Sequence, residues 1–386
     1  MTTVPPSPPG AQPDAVAVDF TEAAFASIPG WDNDALAEAW PAFQASCKAL
    51  VARAASRDAW GDACAASGDI DGRDATSVRT FFEARFRAYR MRSRDPSALQ
   101  SEGLVTGYYE PLLHGSRTRD QRYRYPIYAR PADLLVVELS DIYRELKDKR
   151  VRGRMDGNRV VPYWTRAEID AGRGPPTGSE LLYVDDPLEA FFLQVQGSGR
   201  IALADGSTMR VGYADQNGHP YRAIGRVLVE RGELTVDQAS MQGIKQWGRE
   251  HPDALPALLA ENPSYVFFRE SESPARAATL GDAATVTEGP HGALGVALTA
   301  GRSVAVDARF VPLGAPVFVA TTWPQSARAL RRLMLAQDTG GAIRGPLRVD
   351  WFWGFGEDAA REAGRMKQDG QLWLLWPKGA PLPQPR

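Results

Sequence analysis

Apolar residues recur every three or four positions in "DNDALAEAWPAFQASCKALVARA" (32–54) and again in "DATSVRTFFEARFRAYRM" (74–91), each behind an Asp or Asn able to cap a first turn. This spacing predicts a helical cap over residues 20–95. From 103 the texture changes to short runs broken by Gly and Pro, "GLVTGYYEPLL" and "YRYPIYARP", which predict strands. Helical spacing returns in "HPYRAIGRVLVERGEL" and "TVDQASMQGIKQWGREHP", and "PSYVFFRE" reads as a further strand. Residues 271–290, small and polar, read as a connection between domains. Beyond them "GVALT", "SVAVD", "APVFVATT", "RRLMLAQ", "LRVDWFW" and "QLWLLWP" predict six strands, with one helix in "EDAAREAGRMKQ". Six short strands with Gly/Pro turns suggest a small closed barrel.

Composition narrows the function classes. With 45 basic and 47 acidic residues among 386, the chain has no electrostatic footprint for nucleic acid. No apolar run approaches the roughly 18 to 20 residues that a spanning helix needs. The first 18 residues, with five prolines by position 13, read as a disordered leader and not as a secretory signal. Four histidines and two cysteines never cluster, so neither a structural zinc nor a metal-activated water is expected. Cys47 and Cys64 lie in neighbouring helical segments, where both a disulfide and two buried thiols are open readings.

Candidate chemistry gathers near the C-terminus. Asp307, Asp338 and Asp350 each end an apolar run and precede turn-forming or aromatic residues. A carboxylate at a barrel mouth, partly desolvated, has its acid form favoured, which is what a general acid needs. Asp338-Thr339-Gly340 alone invites an aspartic-protease reading, but such a site needs two aspartates sharing a proton, and the chain has no second Asp-Ser/Thr-Gly. Elsewhere, Gln194, Gln196 and Ser198 fall at i, i+2 and i+4 in "FFLQVQGSGRI". If extended, they share one face, either a row of glycan-binding groups or the polar back of a strand. Thr106, Tyr108 and Glu110 share a face of "TGYYEP", with Tyr109 on the other; both tyrosines fit either a sugar groove or a core. Tyr213, in "VGYADQNGHPY", is a further candidate for a groove edge.

Taken in order, "TGYYEP", "YPIYARP", "FFLQVQGSGRI", "GHPYRAIGRVLVERGEL", "SMQGIKQWG", "NPSYVFF", "DTGGAIRG" and "VDWFWG" resemble the membrane-bound lytic murein transglycosylase A family, in unbroken order from about residue 100 to 377. The resemblance implies an α+β, mainly β, fold: a double-psi β-barrel carrying three aspartates, a second mixed barrel-like domain inserted into it, and the N-terminal helices as a cap. Expected boundaries are a leader at 1–18, the barrel unit at 19–111 with 274–378, the insert at 112–273 and a tail at 379–386.

It further implies cleavage of the β-1,4 bond between N-acetylmuramic acid and N-acetylglucosamine in peptidoglycan, leaving 1,6-anhydromuramyl ends without a metal or organic cofactor. Asp350 corresponds to the catalytic acid, Asp338 to a supporting carboxylate and Asp307 to a structural barrel residue. Thr106, Tyr108, Tyr109, Gln194, Gln196, Ser198 and Tyr213 become expected substrate-binding residues. Glycan strands are the expected partner of a monomer, alongside cell-wall synthesis partners; the expected place is the periplasm, associated with the outer membrane. An oxidising compartment favours the Cys47–Cys64 disulfide. Rival readings are a non-catalytic peptidoglycan-binding scaffold and a muramidase-like hydrolase, with the protease last.

Overall fold

The computed structural model describes residues 17–95, 98–143, 151–271 and 289–384. The connection expected at 271–290 lies almost wholly outside the described residues, as does the leader, although Ala17–Ala23 is already a strand.

Six strands close on one another. In spatial order they are Lys367–Pro377, Pro316–Thr322, Ala329–Asp338, Ser303–Val306, Val349–Phe355 and Gly103–Glu110, and the last pairs back onto the first. Closure removes the unpaired edges that an open sheet would carry. One expected strand is absent: "GVALT" forms a loop with a single bridge between Ala297 and His291. Its place is taken by Gly103–Glu110, nearly 200 residues earlier in the chain, so barrel closure is a non-local pairing that local patterning does not reveal. The remaining helix, Gly356–Arg365, packs on this strand. Gly107 is required there, because a Cβ would meet the Trp353 indole at 2.6 Å and the Ala363 backbone at 2.9 Å.

The expected N-terminal cap is mixed. Helices span Trp40–Ala52, Ala54–Ala66 and Ala75–Arg85, but Ala17–Ala23 and Phe86–Asp95 are strands that extend the barrel sheet beyond Lys367–Pro377. "RFRAYRM", expected to continue a helix, leaves it at Arg85. Phe86 and Ala88 are buried and Arg87 between them is exposed, a period of two once the chain reaches the sheet. Trp40, Phe43, Cys47 and Leu50 form the buried stripe of the first helix. Trp40 and Phe43 meet Phe81 and Phe82 in largely edge-on ring contacts. Cys47 and Cys64 join the first two helices by a disulfide.

The inserted region holds a second six-stranded sheet: Val266–Ser271, Thr208–Gln216, Ser198–Leu203, Leu112–Ser116, Glu180–Val184 and Tyr125–Tyr128. A bridge between Ala129 and Phe268 brings its two ends together, giving the barrel-like form. Helices Pro187–Gln196, Ile224–Glu230, Met241–Glu250 and Leu255–Ala260 share an apolar cluster of Phe191, Phe192, Leu228, Trp247 and Leu258.

A buried ion pair fastens the cap to the barrel. The Arg302 guanidinium donates to both Asp34 carboxylate oxygens at 2.9 Å, and the Leu333 amide donates to Asp34 at 2.7 Å; both side chains are 2% exposed. Arg302 also pairs with Glu38 at 3.0 Å, so losing the Asp34 charge leaves its own charge partly compensated, at a cost of about 1–3 kcal/mol. Asp34→Asn is therefore expected to lower unfolding free energy by about that amount in a urea titration. A loss no larger than that of an ordinary surface substitution would show that the pair does not fasten the cap.

Candidate active site

Four neighbouring barrel strands bring four side chains into one row. Ala305 lies opposite Asp350 on its antiparallel neighbour and opposite Asp338 on its parallel one, and Asp350 lies opposite Thr106. Partners in register project to the same face of a sheet, so all four face one side. The aspartates are two strands apart, a Cα separation of about 10 Å at the usual strand spacing. Asp338 reaches this row through a bulge: the pairing passes from Val304–Ala336 to Ala305–Asp338, leaving Gln337 as the extra residue.

Asp350 accepts a hydrogen bond from the Thr106 hydroxyl at 2.5 Å. Arg348 donates to that hydroxyl at 2.7 Å and to the carbonyls of Val349 and Leu104, which holds its charge beside the carboxyl. Burial pushes the Asp350 carboxyl above the ordinary range, opposed by Thr106 and Arg348. Asp338 accepts from the amides of Ala293 and Thr339 at 2.9 Å and from the Tyr108 hydroxyl at 3.1 Å. Burial lifts it to about 6, against those three bonds and helped by Asp350 nearby. The dry floor consists of Tyr108, Leu298, Ala305, Ile343 and Phe352. Tyr108 and Phe352 rings lie 5.2 Å apart, and burial together with both carboxylates drives the Tyr108 hydroxyl far above its usual range, so it stays a donor.

Asp307 has a different environment. It is 3% exposed and bound by Arg309 at 2.6 Å and by the Gly345 amide at 2.8 Å. Burial alone would raise its carboxyl, but Arg309 and these amides outweigh that and hold it below the ordinary range. It clamps the loop between the Asp338 and Asp350 strands in the ionised state. Among the described residues no group of three or more His, Cys, Asp or Glu is placed to hold a metal ion.

The extended row expected for Gln194, Gln196 and Ser198 does not form. Pro187–Gln196 is a helix, capped by Asp186, which accepts from the amides of Leu188 and Glu189, and ended by Gly197 at φ 79°. Residues two apart on a helix point about 200° from each other. Gln194 is buried in the insert, accepting from Arg166 at 2.5 Å, while Gln196 accepts from the Tyr109 amide at 3.1 Å, where insert and barrel meet. Ser198 opens the next strand, opposite Gly212. Tyr109 is a core residue packed on Ala359 and Ala363, and Tyr108 is 8% exposed, a hydrogen-bond donor to Asp338 and not an open stacking surface. Tyr213 is 42% exposed, on the insert strand opposite Phe268 and next to Gly212, the partner of Ser198. Sequence reading missed Arg348, whose position two residues before Asp350 in an extended run was the available signal. It also missed a role for Glu110, a buried carboxylate held by Arg200 at 2.7 Å and Arg210 at 3.2 Å.

Known proteins resemble this chain over most of its length. Residues 104–269 match the MltA specific insert domain, and residues 302–376, which contain all three aspartates, match the 3D domain. Membrane-bound lytic murein transglycosylase A of Escherichia coli (strain K12) is 33% identical over 314 residues, 78% of this chain and 74% of that protein. The chain belongs to the membrane-bound lytic murein transglycosylase A family. Among solved MltA structures, that from Neisseria gonorrhoeae superposes with a TM-score of 0.77 at 34% identity, covering 100% of this chain and 98% of the other. E. coli MltA with bound chitohexaose has a TM-score of 0.66 at 27% identity, covering 94% and 95%. The MltA insert match begins within the Gly103–Glu110 strand, which the barrel uses for closure.

The raised Asp338 carboxyl has a stability consequence. A folded-state value of about 6, above that of the unfolded chain, means that the folded protein binds the proton more tightly, so stability falls as pH rises from about 4 to 6. Asp338→Asn removes this titration. It is expected to be more stable than wild type at pH 7 by about 3 kcal/mol, with the gain gone below about pH 4. Thermal or urea unfolding across that range checks it; a pH-independent difference would contradict it.

Proposed function

We propose that this lytic transglycosylase cleaves the β-1,4 bond between N-acetylmuramic acid and N-acetylglucosamine in peptidoglycan, with Asp350 as acid and then base. Asp350 protonates the glycosidic oxygen as the bond to C1 breaks through an oxocarbenium-like state. The resulting carboxylate takes the proton from the C6 hydroxyl of the same sugar as that oxygen attacks C1, closing the 1,6-anhydro ring. No second group need activate water, because the nucleophile is tethered to the electrophile; well-oriented intramolecular attack contributes on the order of 7–11 kcal/mol. The observation that carries this reading is the row Thr106, Asp350, Ala305, Asp338, with the smallest side chain between two desolvated carboxyls.

Roles for the neighbours follow from their contacts. Thr106 and Arg348 oppose the upward push of burial and so keep Asp350 from being so weak an acid that it could not give its proton to the glycosidic oxygen. Asp338, steadied by two amides and Tyr108, places its carboxylate charge beside the positive charge that develops at the oxocarbenium-like centre. Gln196 and Ser198, where the insert meets the barrel, are the groove residues of this reading; Gln194, Tyr108 and Tyr109 support it from within. The insert (112–273) and the barrel unit (19–111 with 274–378) form the groove walls. The enzyme works as a monomer on glycan strands in the cell envelope, on the periplasmic side and associated with the outer membrane, where the Cys47–Cys64 disulfide suits an oxidising compartment. No helix among the described residues is long and apolar enough to cross a membrane.

Digestion of purified peptidoglycan, followed by mass spectrometry before and after borohydride reduction, tests the chemistry. Anhydromuramyl ends, about 18 Da lighter than hydrolytic ends and inert to reduction, are expected. Reducible ends would mean that water attacks and would promote Asp338 to a second catalytic group. Asp350→Asn is expected to abolish product while retaining glycan binding; near-normal turnover would sink the assignment. Thr106→Val removes a hydrogen bond that favours the ionised form of Asp350. The alkaline limb of its kcat/KM profile should therefore move to higher pH while the maximal rate falls, and an unmoved limb would separate Thr106 from the titration.

A further inference from the structure

A cavity of about 740 Å³ opens in the inserted domain, and every residue lining it lies between 119 and 265. None belongs to the carboxylate row. Its volume falls within the range of small-ligand sites. Its floor is ordered and polar: Arg166, 4% exposed, lies between the rings of Phe191 and Tyr265 at 4.8 and 4.9 Å and donates to Gln194 and to the Ser264 carbonyl.

The charges around it are unequally satisfied. Among the lining acids, Asp186 is used as a helix cap and Glu189 pairs with Lys245 at 2.5 Å. Asp170 and Glu180 form no ion pair among the described residues, although Glu180 accepts from the Gly178 amide at 2.9 Å, and neither do three exposed arginines of the lining, Arg119, Arg124 and Arg249. A complementary ligand carries several carboxylates together with an amine, along with apolar bulk for the tyrosines and Phe191. A murein stem peptide, built from alanine, a glutamate and a diamino acid with a free C-terminus, has this chemistry; a bare glycan strand carries a single lactyl carboxylate per disaccharide and no free amine.

The distance fits as well. The helix Pro187–Gln196 lines the cavity from Pro187 to Gln194, and its last residue touches Tyr109, the neighbour of Tyr108 on the strand beside Asp350. Ten residues of helix span about 15 Å. Four to five extended peptide residues cover about the same length.

We propose that this cavity takes the peptide stem of the strand whose glycan is cut at Asp350, making the insert a recognition domain for peptide-bearing murein. The inference rests on the function proposed above for the carboxylate row. In this arrangement the arginines hold the stem's carboxylates, the two remaining acids hold its amine, and the stem anchors the strand at a distance from the scissile bond.

The test compares wild type with the double variant Arg119→Glu/Arg124→Glu, both positions being exposed and outside the catalytic row. Substrates are intact sacculi and sacculi whose stems have been removed by an amidase. On intact sacculi the variant is expected to show KM raised about tenfold with kcat preserved, about 1.4 kcal/mol. On stem-free glycan it should match wild type. Equal losses on both substrates, or no loss on either, would overturn the proposal. In parallel, the free tetrapeptide L-Ala-γ-D-Glu-diaminopimelyl-D-Ala is titrated calorimetrically into full-length wild type and variant. Binding that weakens in the variant supports the site, and no heat at millimolar peptide overturns it. If wild type released no anhydro ends from either substrate, the catalytic reading would fall, while the titration would still decide the cavity.

Discussion

Everything at the carboxylate row depends on one extra residue in one strand. A regular pairing would set Ala305 against Gln337 and turn Asp338 to the opposite face, because side chains alternate with a period of two. The bulge at Gln337 shifts the register so that Asp338 and Asp350 flank Ala305 on the same side. Gln337 is fully buried: its amide donates to the Ala42 carbonyl at 2.8 Å and the Ser46 hydroxyl at 2.9 Å, and its oxygen accepts from Ser303 at 2.6 Å. Ala42 and Ser46 belong to the first helix of the N-terminal cap. The cap therefore does more than cover apolar surface. It supplies the partners that make it affordable to bury a glutamine side chain at the bulge, and the Asp34–Arg302 pair and the Cys47–Cys64 disulfide hold that helix region in place.

A second constraint joins the two sheets. Gly103–Glu110 is a barrel strand, yet its last residue is fixed by insert residues, since Glu110 is 1% exposed and held by Arg200 and Arg210. Thr106, Tyr108 and Glu110 alternate along one side of this strand, so the residue bonded to Asp350, the residue bonded to Asp338 and the residue anchored in the insert share a rigid element. Phe355, opposite Glu110 in register, lies 3.8 Å below the Arg200 guanidinium. Insert and barrel thus meet along the strand that positions the proposed acid, and Gln196 adds a bond to the Tyr109 amide at the same seam.

The parts of this arrangement legible from the chain are those set by local periodicity. Three aspartates at the ends of apolar runs, the Gly/Pro turns between strands and the buried stripe of Trp40–Ala52 all reflect neighbours within a few residues. The failures have a common physical origin. "FFLQVQ" is too short and too apolar for its period to separate helix from strand, and Asp186-Pro187 before it and Gly197 after it decide the matter through capping. "RFRAYRM" satisfies both periods, and only the sheet edge offered by Lys367–Pro377 makes it a strand. "GVALT" has strand composition but no partner, since Gly103–Glu110 fills the position beside Val349–Phe355. The Gln337 bulge and the hydroxyl–arginine pair at Asp350 involve residues about 240 to 295 positions apart, beyond any window of local pattern.

Two aspartates on one dry floor are made unequal by what they accept. Asp338 receives two backbone amides and a tyrosine hydroxyl whose own ionisation is suppressed, so its partners are fixed donors that titration cannot withdraw. Among the described residues Asp350 receives a single hydroxyl, itself polarised by Arg348, and no amide. That leaves part of the Asp350 carboxyl uncommitted, which a group needs if it is to give a proton to one oxygen and take another from a second. A carboxyl saturated with amides would ionise early and stay ionised, as Asp307 illustrates under Arg309 and the Gly345 amide. The three aspartates therefore form a graded series within one barrel: one clamped as a charge, one held by fixed donors beside the reaction, and one left free to exchange its proton. Burial pushes upward in each case, more strongly at Asp338 and Asp350 than at Asp307, and the donors that oppose it set how much of that push survives.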